Sequence, residues 1–241
     1  MLTWTSAQAT DVGAKRKINE DNMLSRSDIG LWVVADGMGG HAAGDVASQE
    51  VVNAMMQLKE SADLADFVDA VEDKLLAVNY QLRKHGQESL GGRTLGTTVV
   101  SLFLLDTMGA CIWAGDSRAY LYRDGELSRI SHDHSAVQEM IDAGVITHEQ
   151  AAFHPHRNVI TRAVGGPENL YPEVRVFTVK PNDWYILCSD GFYNELSEEL
   201  IAENLIHATP GEAVRILMEK SLATGALDNV TLIVIHVGEE Q

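Results

Sequence analysis

Residues 31–48 read LWVVADGMGGHAAGDVAS, and this stretch decides which fold the chain can adopt. A strongly apolar run, typical of a buried strand, ends at the carboxylate of Asp36. Glycines follow, and a helix-like segment begins after them. Three kinds of site share this pattern: a dinucleotide loop that cradles phosphate, an ordinary Asp-Gly turn, and a strand that presents an acid to a metal ion.

The glycines match the dinucleotide fingerprint only in part. Residues 37–42 (GMGGHA) fit the pattern G-x-G-x-x-A between a strand and a helix. That fingerprint also needs a second strand after the helix, ending in an acid that binds the ribose. Here the helix predicted at 43–59 is followed by another helix at 63–85, and Asp36 would stand close to the pyrophosphate. An NAD-binding enzyme is therefore a less favoured alternative. It predicts nucleotide binding that does not depend on Asp190, one of the strand-end acids described below.

A second glycine segment imitates a nucleotide-binding P-loop. In GGRTLGTT (residues 91–98) the glycines have the required spacing, but Thr97 stands where the lysine should be. The predicted strand also follows this loop, whereas a P-loop follows its strand. The segment therefore does not predict a nucleotide site.

The order of the predicted elements indicates a segregated α+β fold. Strand-like runs rich in Val, Ile, Trp and Tyr lie at 31–35, 97–105, 110–114, 118–122, 184–188 and 230–237, with a hairpin turn at Asp124-Gly125. Helices are predicted at 43–59, 63–85, 135–143, 197–207 and 211–222, the last opened by Pro210. A regular alternation of strand and helix would have indicated a parallel sheet, and this order does not alternate.

Composition and charge exclude some classes of function. The chain has 241 residues and a formal net charge of −17, which argues against nucleic-acid binding because such binding needs a basic face. No apolar run is long enough to span a membrane, and the N-terminus lacks the pattern of a secretory signal. Cys111 and Cys188 lie in apolar runs and are expected to be buried thiols in a reducing compartment. We therefore predict a cytoplasmic protein without membrane insertion.

Acids at the ends of apolar strands form the pattern that best explains the opening stretch. Asp36, Asp116, Asp190 and Asp228 each adjoin a run apolar enough to be buried. For one such residue a turn or a helix cap would be the simpler explanation. Four carboxylates brought together at one edge of a core would repel one another unless a cation neutralised them. Oxygen ligands without a Cys or His cluster favour Mg²⁺ or Mn²⁺.

The segment AKRKINEDN near the N-terminus supplies the remaining parts. Glu20 and Asp21 add two acids, and Arg16 offers a planar guanidinium suited to phosphoryl oxygens. Taken alone, the segment reads as a charged loop. Together with the strand-end acids, it describes a site that hydrolyses a phosphate ester with divalent ions.

An ordered set of motifs along nearly the whole chain resembles the metal-dependent protein phosphatases of the PPM (type 2C) family in their compact bacterial form. The motifs are RKINEDN (16–22), VVADGMGGHAAGDVAS (33–48), LGTTVV (95–100), WAGDSRAYLYRDGEL (113–127), ITRAVGG (160–166), LCSDGFYNEL (187–196) and DNVTLIVI (228–235). The compact form is also similar to the phosphatases that accompany type VI secretion kinases. The resemblance implies a four-layer α-β-β-α sandwich, two antiparallel sheets flanked by helix pairs, in one domain over 1–241 with a flap at about 131–165.

The resemblance also assigns roles to the candidate site residues. Asp36 would bridge two Mn²⁺ or Mg²⁺ ions, with Arg16 holding the substrate phosphate. The other metal ligands would be Asp190 and Asp228 at the first ion, the Gly37 carbonyl and, largely through water, Glu20 at the second, and Asp116 with Asp190 at a possible third. Asp21 would orient site waters, and Asn229 would support the site from behind the ligands.

The chemistry expected from such a site is direct hydrolysis. Two ions about 3.5–4 Å apart would lower the pKa of a bridging water, giving a hydroxide that attacks phosphorus in line. The expected enzyme is a protein serine/threonine phosphatase, a monomer acting on phosphorylated proteins and opposing a bacterial Ser/Thr kinase. Many eukaryotic members have a histidine at the position of Met38, proposed as the general acid. No general acid is assigned here, and a helix-start or packing role is expected for His41.

Two further interpretations remain open at this point. The flap histidines His132, His134, His154 and His156 could indicate zinc, although exposed side chains explain them more simply. A catalytically silent member of the same fold could bind phosphoproteins without hydrolysing them. That alternative is disfavoured because every acid of the set is present.

Overall fold

Two antiparallel β-sheets pack face to face in the computed structural model, which describes residues 1–38, 43–89, 91–206 and 208–240. Helices cover the outer face of each sheet, so that three apolar layers separate four layers of secondary structure. The α-β-β-α sandwich implied by the motifs is therefore confirmed.

The first sheet joins the two ends of the described chain. Its order is β1 (Leu2–Asp11), β11 (Val230–Glu239), β10 (Trp184–Cys188), β7 (Arg118–Arg123) and β8 (Glu126–Arg129). β1 pairs with β11 along its whole length, from Leu2 opposite Glu239 to Asp11 opposite Val230. β7 and β8 form the predicted hairpin, in which Asp124 and Gly125 have φ angles of 55° and 88°, as a tight turn of this kind requires.

The second sheet is built around the strand of the opening stretch. Its order is β2 (Asp21–Arg26), β3 (Leu31–Met38), β5 (Val99–Leu105), β6 (Met108–Ala114) and β9 (Glu173–Thr178), with the short β4 (Gly96–Thr97) paired to the end of β3. β3 and β5 are buried over most of their length, which explains why their sequences are continuously apolar.

Helices pack on the sheets through stripes of apolar side chains. α1 (Gly44–Met56) and α2 (Leu64–Ser89) cover the second sheet, and α5 (Asp190–Tyr193), α6 (Glu198–Glu203) and α7 (Pro210–Ala223) lie on the side of the first. The predicted stripe of α2 is buried from Phe67 to Leu82, and Phe67 stacks on Phe103 of β5 at 3.6 Å between ring centroids. Along the chain, α3 (Ala136–Asp142) and α4 (His148–Ala151) connect β8 to β9.

The structure corrects several details of the sequence prediction. β1, β2 and β9 were not predicted, because each is an edge strand with a partly exposed, polar sequence. The short helices α4 and α5 were also missed, and α6 ends at Glu203, earlier than expected. Asp36 lies inside β3, which continues to Met38, and Asp190 opens a helix.

The order of elements also bears on the dinucleotide alternative. α1 leads into α2 and not into a strand, and all strand pairs are antiparallel among the described residues. The second parallel strand that the dinucleotide fingerprint needs is therefore absent from the described chain. In the part of the chain that the structure describes, no helix combines the length and apolar character needed to cross a membrane.

Candidate functional site

Asp36 is held in place from both sides of β3. On one side it lies opposite Asp21 of β2 in the strand register. On the other side its carbonyl oxygen accepts hydrogen bonds from the Thr98 N–H (2.8 Å) and the Thr97 hydroxyl (2.9 Å). The backbone of Asp36 is thus fixed near the end of β3.

Gly37 is required because three backbone segments meet there. A Cβ on this residue would lie 2.1 Å from the carbonyl oxygen of Gly44 and 2.5 Å from that of Glu20. The Gly44 N–H, in the first turn of α1, donates to the Glu20 carboxylate at 3.2 Å. The close approach that only glycine permits therefore brings Glu20 beside the residue that follows Asp36.

Asp190 and Asp228 are brought together by a second close approach. Asp190 is the first residue of α5, directly after β10, and Asp228 lies just before β11. A Cβ on Gly191 would lie 2.0 Å from the Asn229 carbonyl oxygen and 3.3 Å from Cβ of Asp228. The two acids predicted from separate strands therefore stand beside each other.

Asn229 anchors the N-terminal segment that carries Arg16 and Glu20. Its amide oxygen accepts a hydrogen bond from the Glu20 N–H at 2.9 Å. Its amide nitrogen donates to the carbonyl oxygens of Val12 (2.9 Å) and Ile18 (3.0 Å). Because Asn229 is itself buried, this side chain fixes the segment to the start of β11.

Arg16 lies against the acids and not away from them. Its guanidinium donates to Asp228 at 2.6 Å, and this hydrogen bond raises the pKa of Arg16. Both side chains are partly exposed, so the pair is open to solvent and can exchange partners.

Asp21 is the most enclosed acid of the N-terminal segment. Its carboxylate accepts hydrogen bonds from the hydroxyls of Ser189 (2.8 Å) and Thr231 (2.7 Å), the residues next to Asp190 and at the start of β11. Sequence reasoning did not single out these two hydroxyls. Their position beside the acids in CSDG and DNVT was the available signal.

Asp116 lies at the neighbouring strand end and is buried, with 7% of its surface exposed. It follows β6, and the preceding Gly115 has a φ of +121° and packs on Thr98. Oδ1 of Asp116 has no hydrogen-bond partner within the described residues. An unpartnered buried carboxylate oxygen is costly, and an ion would satisfy it.

The electrostatics of this group follow from burial and mutual repulsion. Burial, and next the charges of Asp21 and Asp190, raise the pKa of Asp36 well above its ordinary value. Burial and then neighbouring Asp charges raise the pKa of Asp190 to about 6 and that of Asp116 to about 7. Burial raises the pKa of Asp21 to about 6 against the two hydroxyl hydrogen bonds. Each acid thus makes its neighbours harder to ionise.

The donor chemistry suits hard divalent cations. The acids and the Gly37 carbonyl offer only oxygen, the ligand preference of Mg²⁺ and Mn²⁺. Over the described ranges, no three His, Cys, Asp or Glu side chains are gathered closely enough to hold an ion as they stand. The acids instead line one edge, with Asp228 paired to Arg16. The unpartnered oxygen of Asp116 and the mutual repulsion fit a site completed by added positive charge.

Among the described residues, the flap histidines are not gathered into a group of three or more potential metal ligands. His132 lies 2.7 Å from Asp142, and His154 lies beside His156. The expectation that these side chains are exposed is wrong for His134, which is 5% exposed. His41 lies outside the described residues.

A cleft of about 620 Å³ lies elsewhere, between α2 and residues 168–171. Tyr80, Arg83 and Tyr171 are among the residues that line it. None of the candidate site residues does, so this cleft does not change the assignment of the site.

Comparison with known proteins identifies the family to which this fold and these grouped acids belong. Residues 14–224 match the family described as protein phosphatase 2C. The chain belongs to this family, as the motifs indicated.

Its relatives are bacterial and are named as phosphatases. The chain is 36% identical over 231 residues to the serine/threonine protein phosphatase PstP of Mycobacterium tuberculosis, covering 96% of this chain and 44% of PstP. The chain thus spans less than half the length of that relative. It is 31% identical to the protein phosphatase PhpP of Streptococcus pneumoniae, covering 96% of both proteins.

Solved structures agree with this assignment. PppA, described as a key regulatory component of T6SS in Pseudomonas aeruginosa, superposes with a TM-score of 0.90 at 39% identity, over 98% of both chains. The PstP catalytic domain in complex with two manganese ions superposes with a TM-score of 0.89 at 34% identity, over 99% of this chain and 100% of that one.

Proposed function

We propose that this chain is a Mn²⁺- or Mg²⁺-dependent phosphatase that hydrolyses phosphoserine and phosphothreonine in proteins and opposes a bacterial Ser/Thr kinase. The observation that carries the proposal is the meeting of acids from both sheets, Asp36 from one and Asp190 and Asp228 from the other, beside the guanidinium of Arg16. Relatives named serine/threonine phosphatases support the choice of substrate. Residues 1–241 would act as one catalytic domain with a flap at about 131–165.

The ligands follow the motif assignment. Asp36, Asp190, Asp228 and the Gly37 carbonyl would hold two ions, with Glu20 acting largely through water, and Asp116 with Asp190 would hold a third. When bound, the ions would supply a bridging water of lowered pKa as the nucleophile and would neutralise charge on the phosphoryl group.

The chain's own groups bind and orient around that chemistry. Arg16, whose side chain is partly exposed, would leave Asp228 and offer its planar donors to the phosphate of the substrate. Asp21 is already fixed by two hydroxyls and would orient water at the site. Asn229 would hold Glu20 and Arg16 in register with Asp228, because it bonds the segment that carries them.

A cysteine nucleophile is not needed in this scheme. Cys111 and Cys188 are both fully buried, and burial raises the pKa of Cys111 to about 12 and that of Cys188 further. Thiols of this kind stay protonated at neutral pH and are poor nucleophiles. The buried thiols therefore support direct hydrolysis by water over a cysteine phosphoenzyme.

The test is phosphate release from a phosphothreonine peptide, with Mn²⁺ and with a chelator. We expect turnover that needs Mn²⁺ and that falls about 100-fold or more in Asp190→Asn, since charge stabilisation of the transition state is lost. The matched control is Asp124→Asn, which makes the same change on the exposed hairpin turn and should keep wild-type activity. Absence of turnover by folded, Mn²⁺-loaded wild type would overturn the proposal and leave a phosphoprotein-binding member of the fold.

A further inference from the structure

His134 is the buried histidine at the base of the flap, and it holds the turn before Asp116 by a reciprocal pair of hydrogen bonds. The His134 N–H donates to the Gly115 carbonyl oxygen at 3.0 Å. The Gly115 N–H donates in return to Nδ1 of the His134 ring at 3.1 Å. Since Nδ1 accepts, the ring proton is on Nε2, which lies 3.2 Å from the carboxylate of Glu173.

The peptide that His134 holds directly precedes Asp116. Gly115 has a φ of +121°, and a Cβ there would lie 2.5 Å from Cβ of Thr98. This backbone conformation is open to glycine and unfavourable for other residues. Asp116 follows directly, so the two bonds to His134 restrain the peptide that leads into it.

A second contact from the flap base holds the other side of Asp116. The Asp133 carboxylate accepts hydrogen bonds from Nε (3.1 Å) and Nη2 (2.7 Å) of Arg118, which lies two residues beyond Asp116. The guanidinium of Arg118 also lies 3.6 Å from the ring centroid of Tyr193, in the short helix that Asp190 opens. The flap base therefore contacts the Gly115 backbone before Asp116 and the Arg118 side chain after it.

We propose that His134 is a positioning residue for Asp116: its Nδ1 fixes the Gly115–Asp116 peptide so that the Asp116 carboxylate faces the acids at the sheet edge. The inference rests on the proposed function, because the direction of this carboxylate matters only where a divalent ion is bound. It gives this histidine a role other than zinc binding, and it links the base of the flap to the metal ligands.

Two matched variants separate the two ring nitrogens. In His134→Asn the amide oxygen can take the place of Nδ1 and accept from the Gly115 N–H. In His134→Gln the longer side chain can reach toward Glu173 at the place of Nε2, but it offers no acceptor at the δ position. Both replacements are polar and smaller than or similar to histidine, so packing alone predicts similar behaviour for the two.

The readouts are Mn²⁺ binding by calorimetry and hydrogen exchange of the Gly115 amide, with Asp116→Asn as the reference for Asp116-dependent binding. We expect His134→Gln to weaken that binding between about 10- and 100-fold, as for other groups that orient a metal ligand. His134→Asn should stay near wild type, and exchange of the Gly115 amide should speed up only in His134→Gln. In an Asp116→Asn background, His134→Gln should add no further loss of Mn²⁺ binding.

Three results would overturn the inference. They are equal Mn²⁺ binding by the Gln and Asn variants, a loss that persists undiminished in the Asp116→Asn background, and unchanged Mn²⁺ binding in Asp116→Asn itself. Phosphopeptide turnover by wild type is measured separately. A lack of turnover with intact Mn²⁺ binding would contradict the proposed function without touching the role of His134.

Discussion

Replacing Asn229 by alanine should destabilise the fold and release the segment that carries Arg16 and Glu20. The variant removes three hydrogen bonds, one from the Glu20 N–H and two to the carbonyl oxygens of Val12 and Ile18. At about 1 kcal/mol for each bond, the free energy of unfolding should fall by about 3 kcal/mol. For a chain of this size, that loss lowers Tm by about 6–12 °C.

The assay is thermal unfolding in chelator, which separates the stability of the chain from the effect of bound metal, followed by Mn²⁺-dependent phosphopeptide hydrolysis. The control is Asn204→Ala, which removes one 2.7 Å bond to the Leu200 carbonyl at the end of α6. Its unfolding free energy should change by about 1 kcal/mol or less, with activity unchanged. If Asn229→Ala melted within about 2 °C of this control, the three bonds would not anchor the segment and the reasoning would be refuted.

Three other predictions test separate parts of the structure. Gly37→Ala should abolish Mn²⁺-dependent turnover, because the added Cβ would lie 2.1 and 2.5 Å from backbone oxygens. The control Gly211→Ala, where the added Cβ has open space, should stay active, and an active Gly37→Ala would contradict the close approach. Arg123→Met should lower the free energy of unfolding in urea by about 3–5 kcal/mol, because the 1%-exposed carboxylate of Asp183 loses its ion pair. A loss below about 1 kcal/mol would contradict a stabilising role for that pair. Burial lowers the pKa of His236 from 6.5, so the contribution of the neutral ring to stability is complete above that pH and is lost as pH falls through the lower folded-state pKa. His236→Gln should therefore lose less stability than wild type between about pH 7.5 and 5, and parallel curves of unfolding free energy against pH would contradict this prediction.

The central strands that carry or adjoin Asp36, Asp190 and Asp228 could be predicted from the sequence, but β2, which begins with Asp21, could not. β3, β10 and β11 lie inside their sheets, so both faces are covered and their apolar runs are continuous. β1, β2 and β9 lie at sheet edges, where half-exposed positions take Thr, Ser, Gln or Arg and the pattern weakens. Central strands were thus easier to find than the strands at the sheet edges.

The candidate site was predictable as a set of acids but not as an arrangement. Nothing in the sequence spacing pairs Arg16 with Asp228, or places the Asn229 amide between Val12 and Glu20, because these contacts join segments more than two hundred residues apart. The motif resemblance supplied roles without supplying contacts. His134 shows the same limit: nothing in the local sequence indicates that its ring will accept a hydrogen bond from the Gly115 N–H.

The pairing of β1 with β11 has a consequence for the order of folding during synthesis. β11 lies between β1 and β10, so β1 has its sheet partner only after the ribosome has released residues near 239. Pairings this distant in sequence form slowly and late. Since Asp228 and Asn229 stand at the start of β11, the nascent chain would carry a complete set of N-terminal acids but no working site. A site assembled from these groups would therefore be complete only after β11 has been synthesised.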